Sequence, residues 1–232
     1  MVLDLSLKEI ITKSIRYAEK FCKQDDVKNI IDDLAKILEN GIKEIAYQSI
    51  PGHSLEHILR VLSLSLAISC FEGGDRITIA LAAILHDIAR FKEEEDKSID
   101  HAKLSAMIAK KVLSNSKFSN LAEKVAKIIE EHRFKNREKP TSIESAILQD
   151  ADRLDALGFI GVARVFAYGG YRGRSVYESF KHFHEKILNL PNLMNTRTGK
   201  IIAKKRVERI ILFLKETQKE IILEDLKDIL AL

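Results

Sequence analysis

Residues 82–90 read AAILHDIAR, an apolar run with the adjacent pair His86–Asp87 in its middle. An imidazole and a carboxylate inside an apolar helix are costly to bury unless each is bonded. A divalent metal would serve both, since imidazole and carboxylate suit Mn, Fe, Zn or Mg according to the remaining ligands. A plainer reading is a hydrogen-bonded core histidine beside a buried acid. The pair alone leaves both readings open.

Outward from that pair, apolar residues recur at helical spacing, and nothing reads as an alternating strand of useful length. The class is therefore all-α. Pro51, Pro140 and Pro191 each fall where a helical pattern breaks. The helix carrying His86 and Asp87 is predicted over roughly residues 75–91. The charged stretch after it, KEEEDKSID, reads as a solvated loop exposing Glu93, Glu94, Glu95 and Asp96. Before it, HSLEHILRVLSLSLAISCF (53–71) predicts a helix capped by Ser54. His53 and His57 are four apart and share a face if both are helical. His57 is a candidate metal ligand, or else a surface histidine at a helix start.

Beyond the charged stretch, His101 opens one predicted helix and His132 closes the next, over 120–132. Residues 142–168 then place Asp150, Asp152 and Asp155, with Arg153 among them, in an apolar helical pattern. They form either a solvated face or a site in which one carboxylate meets a metal and another orients a histidine or a water. On a helix Asp150 and Asp152 point about 200° apart. Asp155 shares the side of Asp152.

The remainder carries weaker signals. Residues 169–174, GGYRGR, form a basic glycine-rich turn without phosphate-loop spacing, although its arginines suit phosphate. His182 and His184 are two apart, so one at most belongs near chemistry. Arg197, Lys200, Lys204, Lys205, Arg206 and Arg209 lie on a predicted helix over 196–222 and read as a solvated face. A short helix is predicted over 225–231. The N-terminal residues predict helices over 5–23 and 25–48 with no ligand-type cluster. We read residues 1–50 as a helical extension that covers the core or builds a homodimer interface, and 51–232 as the main domain.

With 46% hydrophobic and 31% charged residues, the chain reads as a soluble protein with a sizeable core. It has no membrane-length apolar run and no signal-peptide pattern, so the expected location is the cytoplasm. A net charge of +4 tolerates anionic substrates but does not argue for a nucleic-acid partner. Cys22 and Cys70 read as free buried thiols of a reducing compartment. Abundant Lys, Glu and Ile without Trp hints at a thermophile.

In order, the chemistry-bearing residues are His57, His86–Asp87 and Asp152, each on a separate predicted helix. That order resembles the H…HD…D pattern of the HD superfamily of metal-dependent phosphohydrolases. HILRV after the first histidine, LQDADRLDALGFIGVARVFAYGG and HFHEKILNLPNLMNTRTGKIIAKKR resemble one bacterial and archaeal branch of predicted HD hydrolases. The likeness runs over residues 51–216. It implies a helical bundle holding one divalent ion on His57, His86, Asp87 and Asp152, with Mn or Mg favoured over Fe, Co, Ni or Zn. His101 and His132 match positions that hold a second metal or phosphate in some branches. Here Glu131 precedes His132 where relatives often carry a second histidine, and Ser54 follows His53 where many carry Asp.

The resemblance implies hydrolysis of a phosphate ester or anhydride, with a nucleotide the favoured substrate. Asp87 would both bind the ion and orient the nucleophile, with Arg60, through contact with phosphate, and His101 and His132 as further catalytic candidates. His53, Lys92, Asp150, Arg153 and Asp155 are candidates for supporting the ligands or contacting phosphate. Two rivals stand beside this reading. One is a regulatory HD module that binds metal and nucleotide without turnover. The other is a helical nucleic-acid adaptor using the cations of 197–209.

Overall fold

In the computed structural model, which describes residues 6–133, 139–224 and 226–227, the apolar stripes wind into helices throughout. The first are α1 (Leu7–Ala18), α2 (Asp25–Lys28), α3 (Ile31–Ile45) and α4 (Leu55–Glu72). Then come α5 (Arg76–Leu85), α6 (Arg90–Glu95), α7 (His101–Ser114) and α8 (Ala122–Glu131). The chain continues through α9 (Ile143–Asp155), α10 (Gly158–Tyr171), α11 (Val176–Glu185) and α12 (Arg197–Ile221). Short 3-10 turns sit at Ser119–Leu121 and Ile187–Leu193. Among the described residues there is no β-strand, only one bridge between Ile50 and His53. No described helix is long and apolar enough to cross a membrane.

The middle of the fold is α5. Every residue from Thr78 to Leu85 is buried, and a helix apolar on all faces is stable only when neighbours surround it. Those neighbours are α2, α3, α4, α7, α8 and α9. Asp75 caps its start by accepting from the Ile77 amide, and its hydroxyl partner is Thr78. Helices α1 to α3 share this core, through Ile11, Ile15, Val27, Leu34 and Leu38. Ser6 and Glu9 cap α1 reciprocally, fixing where it begins.

Several expectations are corrected. The helix predicted over 25–48 is two helices, α2 and α3, and α3 ends at Ala46 in a left-handed turn, φ 49°. The helix predicted over 75–91 stops at Leu85. The His86 ring nitrogen Nδ1 takes the Ala83 carbonyl at 2.8 Å, the acceptor that the Asp87 amide would need to continue the helix. The predicted helix over 225–231 lies mostly outside the described residues.

Cys22 and Cys70 are not free thiols; they form a disulfide between the segment after α1 and the end of α4. The cysteine argument for a reducing compartment falls with that finding. The acidic run is a solvated stretch only in part: Glu95 and Asp96 are exposed, but Glu93 and Glu94 are not. Glu93 is buried in α6, and the Glu94 side chain is at least as enclosed. Their partners come from other helices and turns: Arg133 and His101 for Glu93, Tyr168 and Arg172 for Glu94.

Candidate metal centre and basic cleft

Five histidines from different parts of the chain converge on Asp87. His53 Nδ1 lies 3.0 Å and His57 Nε2 3.5 Å from Asp87 Oδ2. On the other oxygen, His101 Nε2 and His132 Nε2 each lie 3.4 Å from Oδ1. His86 Nε2 faces His57 Nε2 at 3.3 Å, and Asp152 Oδ1 is 3.4 Å from His57 Nε2. His57, His86 and Asp152 thus present donor atoms within 4.8 Å of one another, as do His86, Asp87 and His132.

Each element supplies its donor for a local reason. His57 lies on the buried face of α4, in its first turn. His53 is not helical; it sits in the turn before α4, where Tyr47 donates to its carbonyl at 3.2 Å. His86 and His132 end α5 and α8, and each gives Nδ1 to a carbonyl three residues back, Ala83 and Ile129. His101 starts α7 with Nδ1 on Glu93. His57 gives Nδ1 to Asp155 at 2.7 Å. In all four rings Nδ1 is tied to an acceptor and Nε2 is turned inward, the arrangement that fixes the tautomer of a metal-binding histidine.

The donor set fits a divalent cation. A carbonyl can only accept, so His86 carries its hydrogen on Nδ1 and presents a bare lone pair at Nε2. Burial pushes His86 down to about 4, against the pull of Asp87, so the ring is neutral. That lone pair faces His57 Nε2, beside the carboxylates of Asp87 and Asp152. Such a cluster needs positive charge at its centre. Donors about 2.0–2.2 Å from one ion lie roughly 3.0–3.5 Å from each other, matching these separations. Without a metal, a proton serves: burial and Arg164 push His57 down, but Asp152, Asp155 and Asp87 outweigh them and raise it to about 9. Asp87, Asp152 and Asp155 are held well below the carboxylate range, their histidine partners overcoming burial. Burial likewise pushes His53 down to about 4, while Asp87 keeps His132 above its ordinary value.

Beside this cluster opens a cleft of 310 Å³. Asp152, whose side chain is 30% exposed, and His53 form its inner wall. Arg90, Arg153, Arg164, Arg174, Lys186 and His182 also line it. Val165, Ile187 and Leu190 make an apolar wall, and Arg174 lies over the Tyr168 ring at 5.5 Å. The electrostatics suit a phosphorylated small molecule.

The other sequence candidates are distributed differently. Asp155 is tied to His57, to Arg60 at 2.7 Å and 3.0 Å, and to Arg164 at 2.8 Å. Arg60 is therefore committed to Asp155 and does not line the basic cleft. Lys92 is also outside it, paired with Glu95 and lying over the Phe91 ring. Asp150 lines neither cluster nor cleft, and its link to the cleft is Arg153 Nη1 at 3.7 Å. It holds the start of α12, accepting from the Asn195 amide at 2.8 Å and from the Thr196 amide and hydroxyl, both at 2.7 Å. Arg153 does border the cleft while donating to the Leu193 carbonyl at 2.6 Å. Of His182 and His184, only the first lines the cleft. Arg206 departs from the solvated face expected of its helix and is half-buried against the Leu154 carbonyl. Sequence reasoning missed Arg90, Arg164 and Lys186; their spacing carries no periodic signal, and only the basic turn at 169–174 hinted at Arg174.

An all-helical bundle with clustered histidines and aspartates at the end of its central helix defines the HD class. The HD domain family matches residues 54–157, and the chain belongs to the HD superfamily. YpgQ of Bacillus subtilis is 31% identical over 195 residues, covering 81% of this chain and 93% of that protein. A crystal structure of YpgQ in complex with ADP superimposes with a TM-score of 0.65 at 30% identity, over 81% of this chain and 97% of that one. An HD-superfamily hydrolase from Bacillus thuringiensis is 33% identical over 83% of this chain and 97% of its own, with a TM-score of 0.61.

Proposed function

We propose that the protein is a metal-dependent phosphohydrolase acting on a phosphate ester or anhydride of a nucleotide. The observation that carries this reading is the junction of the two sites: the cluster of inward-facing Nε2 and carboxylate donors meets the arginine-lined cleft at Asp152. The binding of ADP by YpgQ supports the nucleotide part. His57, His86, Asp87 and Asp152 would hold one divalent ion. Bound there, such an ion polarises a phosphoryl oxygen and makes water more acidic.

The chain's own groups do the rest. Arg164, Arg174 and Lys186 hold the phosphate chain, the part assigned at first to Arg60 and Lys92. Arg164 also donates to the Gly52 carbonyl at 2.8 Å, next to His53, so it ties the phosphate contact to the turn before α4. Asp87 orients the attacking water. His132 keeps its Nδ1 hydrogen on Ile129 and, when charged, carries a proton at Nε2 for the leaving oxygen. His101, locked by Glu93, holds the other side of Asp87 Oδ1.

The test is a screen for phosphate and pyrophosphate release over nucleotides, with Mn, Mg, Co and Ni each supplied. Release that is lost in Asp87→Asn and His86→Ala supports the reading. Tight metal and nucleotide binding without release with any metal would favour the regulatory alternative.

A further inference from the structure

A second cavity, of 540 Å³, opens between α1, α4 and α10, and no metal donor candidate lines it. Its walls are largely apolar: Ile10 and Tyr17 from α1, Leu59 and Leu64 from α4, Ile160 from α10. Asp155, Arg60 and Arg206 also reach it. Cavities of about 300–1,000 Å³ with apolar walls and a few polar groups hold small molecules.

The charges select the sign of the ligand. The Asp155 oxygens are occupied by His57, Arg60 and Arg164. Arg206 gives Nη1 to the Leu154 carbonyl at 2.6 Å, and no carboxylate of the described residues pairs with it. Burial weakens its charged form, Arg209 and Arg60 act in the same direction, and Asp155 opposes them. Lys13 adds another cation, while Glu56, the other acid of the lining, is exposed to water. A half-buried guanidinium without an acid partner beside an apolar chamber is complementary to an anion with an apolar body.

We propose that this cavity binds an amphipathic carboxylate, its apolar body against α1, α4 and α10 and its charge on Arg206 and Arg60, and that occupancy is sensed at His57 through Asp155. The path is short. Arg60 bonds Asp155 through Nε and Nη2, and the same carboxylate accepts His57 Nδ1. An anion that draws Arg60 toward the cavity loosens its hold on Asp155 and alters the His57 bond. Neither part of the inference depends on a metal or on turnover.

The experiment titrates the metal-free full chain with decanoate below its micelle concentration. Calorimetry gives the affinity, and nitrogen NMR follows the His57 ring. The expected result is saturable binding with one decanoate per chain, and decanol at least about tenfold weaker because it lacks the charge. Arg206→Gln should weaken decanoate by about tenfold or more for the same reason. Ile160→Glu, at a position that is 47% exposed and so tolerant of change, should abolish binding by placing a negative charge in the chamber. Ser63→Trp should abolish it by filling the space. Absence of saturable binding, decanol binding as tightly as decanoate, or a folded Ile160→Glu protein that binds like the wild type would overturn the site. A His57 signal that stays still at saturation would overturn the link to His57.

Discussion

His57 donates the hydrogen of Nδ1 to Asp155 Oδ2 at 2.7 Å, and this bond points its Nε2 between Asp87 and Asp152. Asp155 is buried and gathers Arg60 and Arg164 as well. One carboxylate therefore sets the tautomer of the ring, its orientation, and the position of a cleft arginine.

Asp155 and Asp152 should separate in a metal titration. Asp152→Asn removes a charged donor and should lower affinity most. Asp155→Asn removes no donor but weakens the hold on His57, Arg60 and Arg164, and should cost about 10–100-fold in affinity or activity. Equal affinities for Asp152→Asn and wild type, measured in one buffer, would remove Asp152 from the donor set.

Asp150 should behave as a purely structural group. Its carboxylate satisfies the amides that open α12, so Asp150→Asn should cost about 1–3 kcal/mol of stability while leaving metal affinity within about twofold of wild type. Gly199→Ala should be as damaging, because a Cβ there would stand 2.2 Å from Asp150 Oδ2. Chemical denaturation of both variants checks this. An unaltered midpoint in Gly199→Ala would contradict the tight approach.

Metal binding should release a proton from His57. Its pKa is raised to about 9 in the metal-free protein, and a metal requires the bare Nε2. At neutral pH the ring is charged, so apparent affinity should rise about tenfold per pH unit and level off once pH passes that value. Calorimetry in two buffers of different ionisation enthalpy counts the proton. The sign for stability runs the other way. A raised histidine pKa stabilises the metal-free fold below its unfolded value near 6.5, and that contribution is lost as pH rises through about 9.

The disulfide should contribute strongly to stability. It links residues 48 apart in sequence, and closing a loop of that size removes about 4 kcal/mol of unfolded-chain entropy in the loop-closure description. Replacing Cys22 and Cys70 together by Ser should lower the unfolding free energy by an amount of that order. A double variant as stable as the wild type under non-reducing conditions would show that the clasp adds nothing.

The helical class, the placing of His57, His86–Asp87 and Asp152 on or at the end of separate helices, and the shared side of Asp152 and Asp155 were legible because each rests on local spacing. What was hidden depends on partners distant in sequence. Glu93 and Glu94 read as solvent-exposed until Arg133, Tyr168 and Arg172 arrive from distant parts of the chain. Arg60 looked like a phosphate contact, yet Asp155, 95 residues away, claims it. The helix stop at Leu85 could not be seen either, since it needs a side chain to take the Ala83 carbonyl from the backbone. Cys22 and Cys70 sit on helical patterns that give no hint of their pairing.

Helix α5 ends in the donor pair, and its burial on every side has a consequence for motion. Its amides open to solvent only when much of the surrounding bundle opens, so they should be among the slowest in the molecule to exchange hydrogen. His86 and Asp87 thus hang from a segment expected to be slow to open, whereas Arg174 lies between α10 and α11 and Lys186 at the end of α11. A ligand entering the cleft should therefore displace Arg174 and Lys186 more than the histidine cluster, which serves as its fixed anvil.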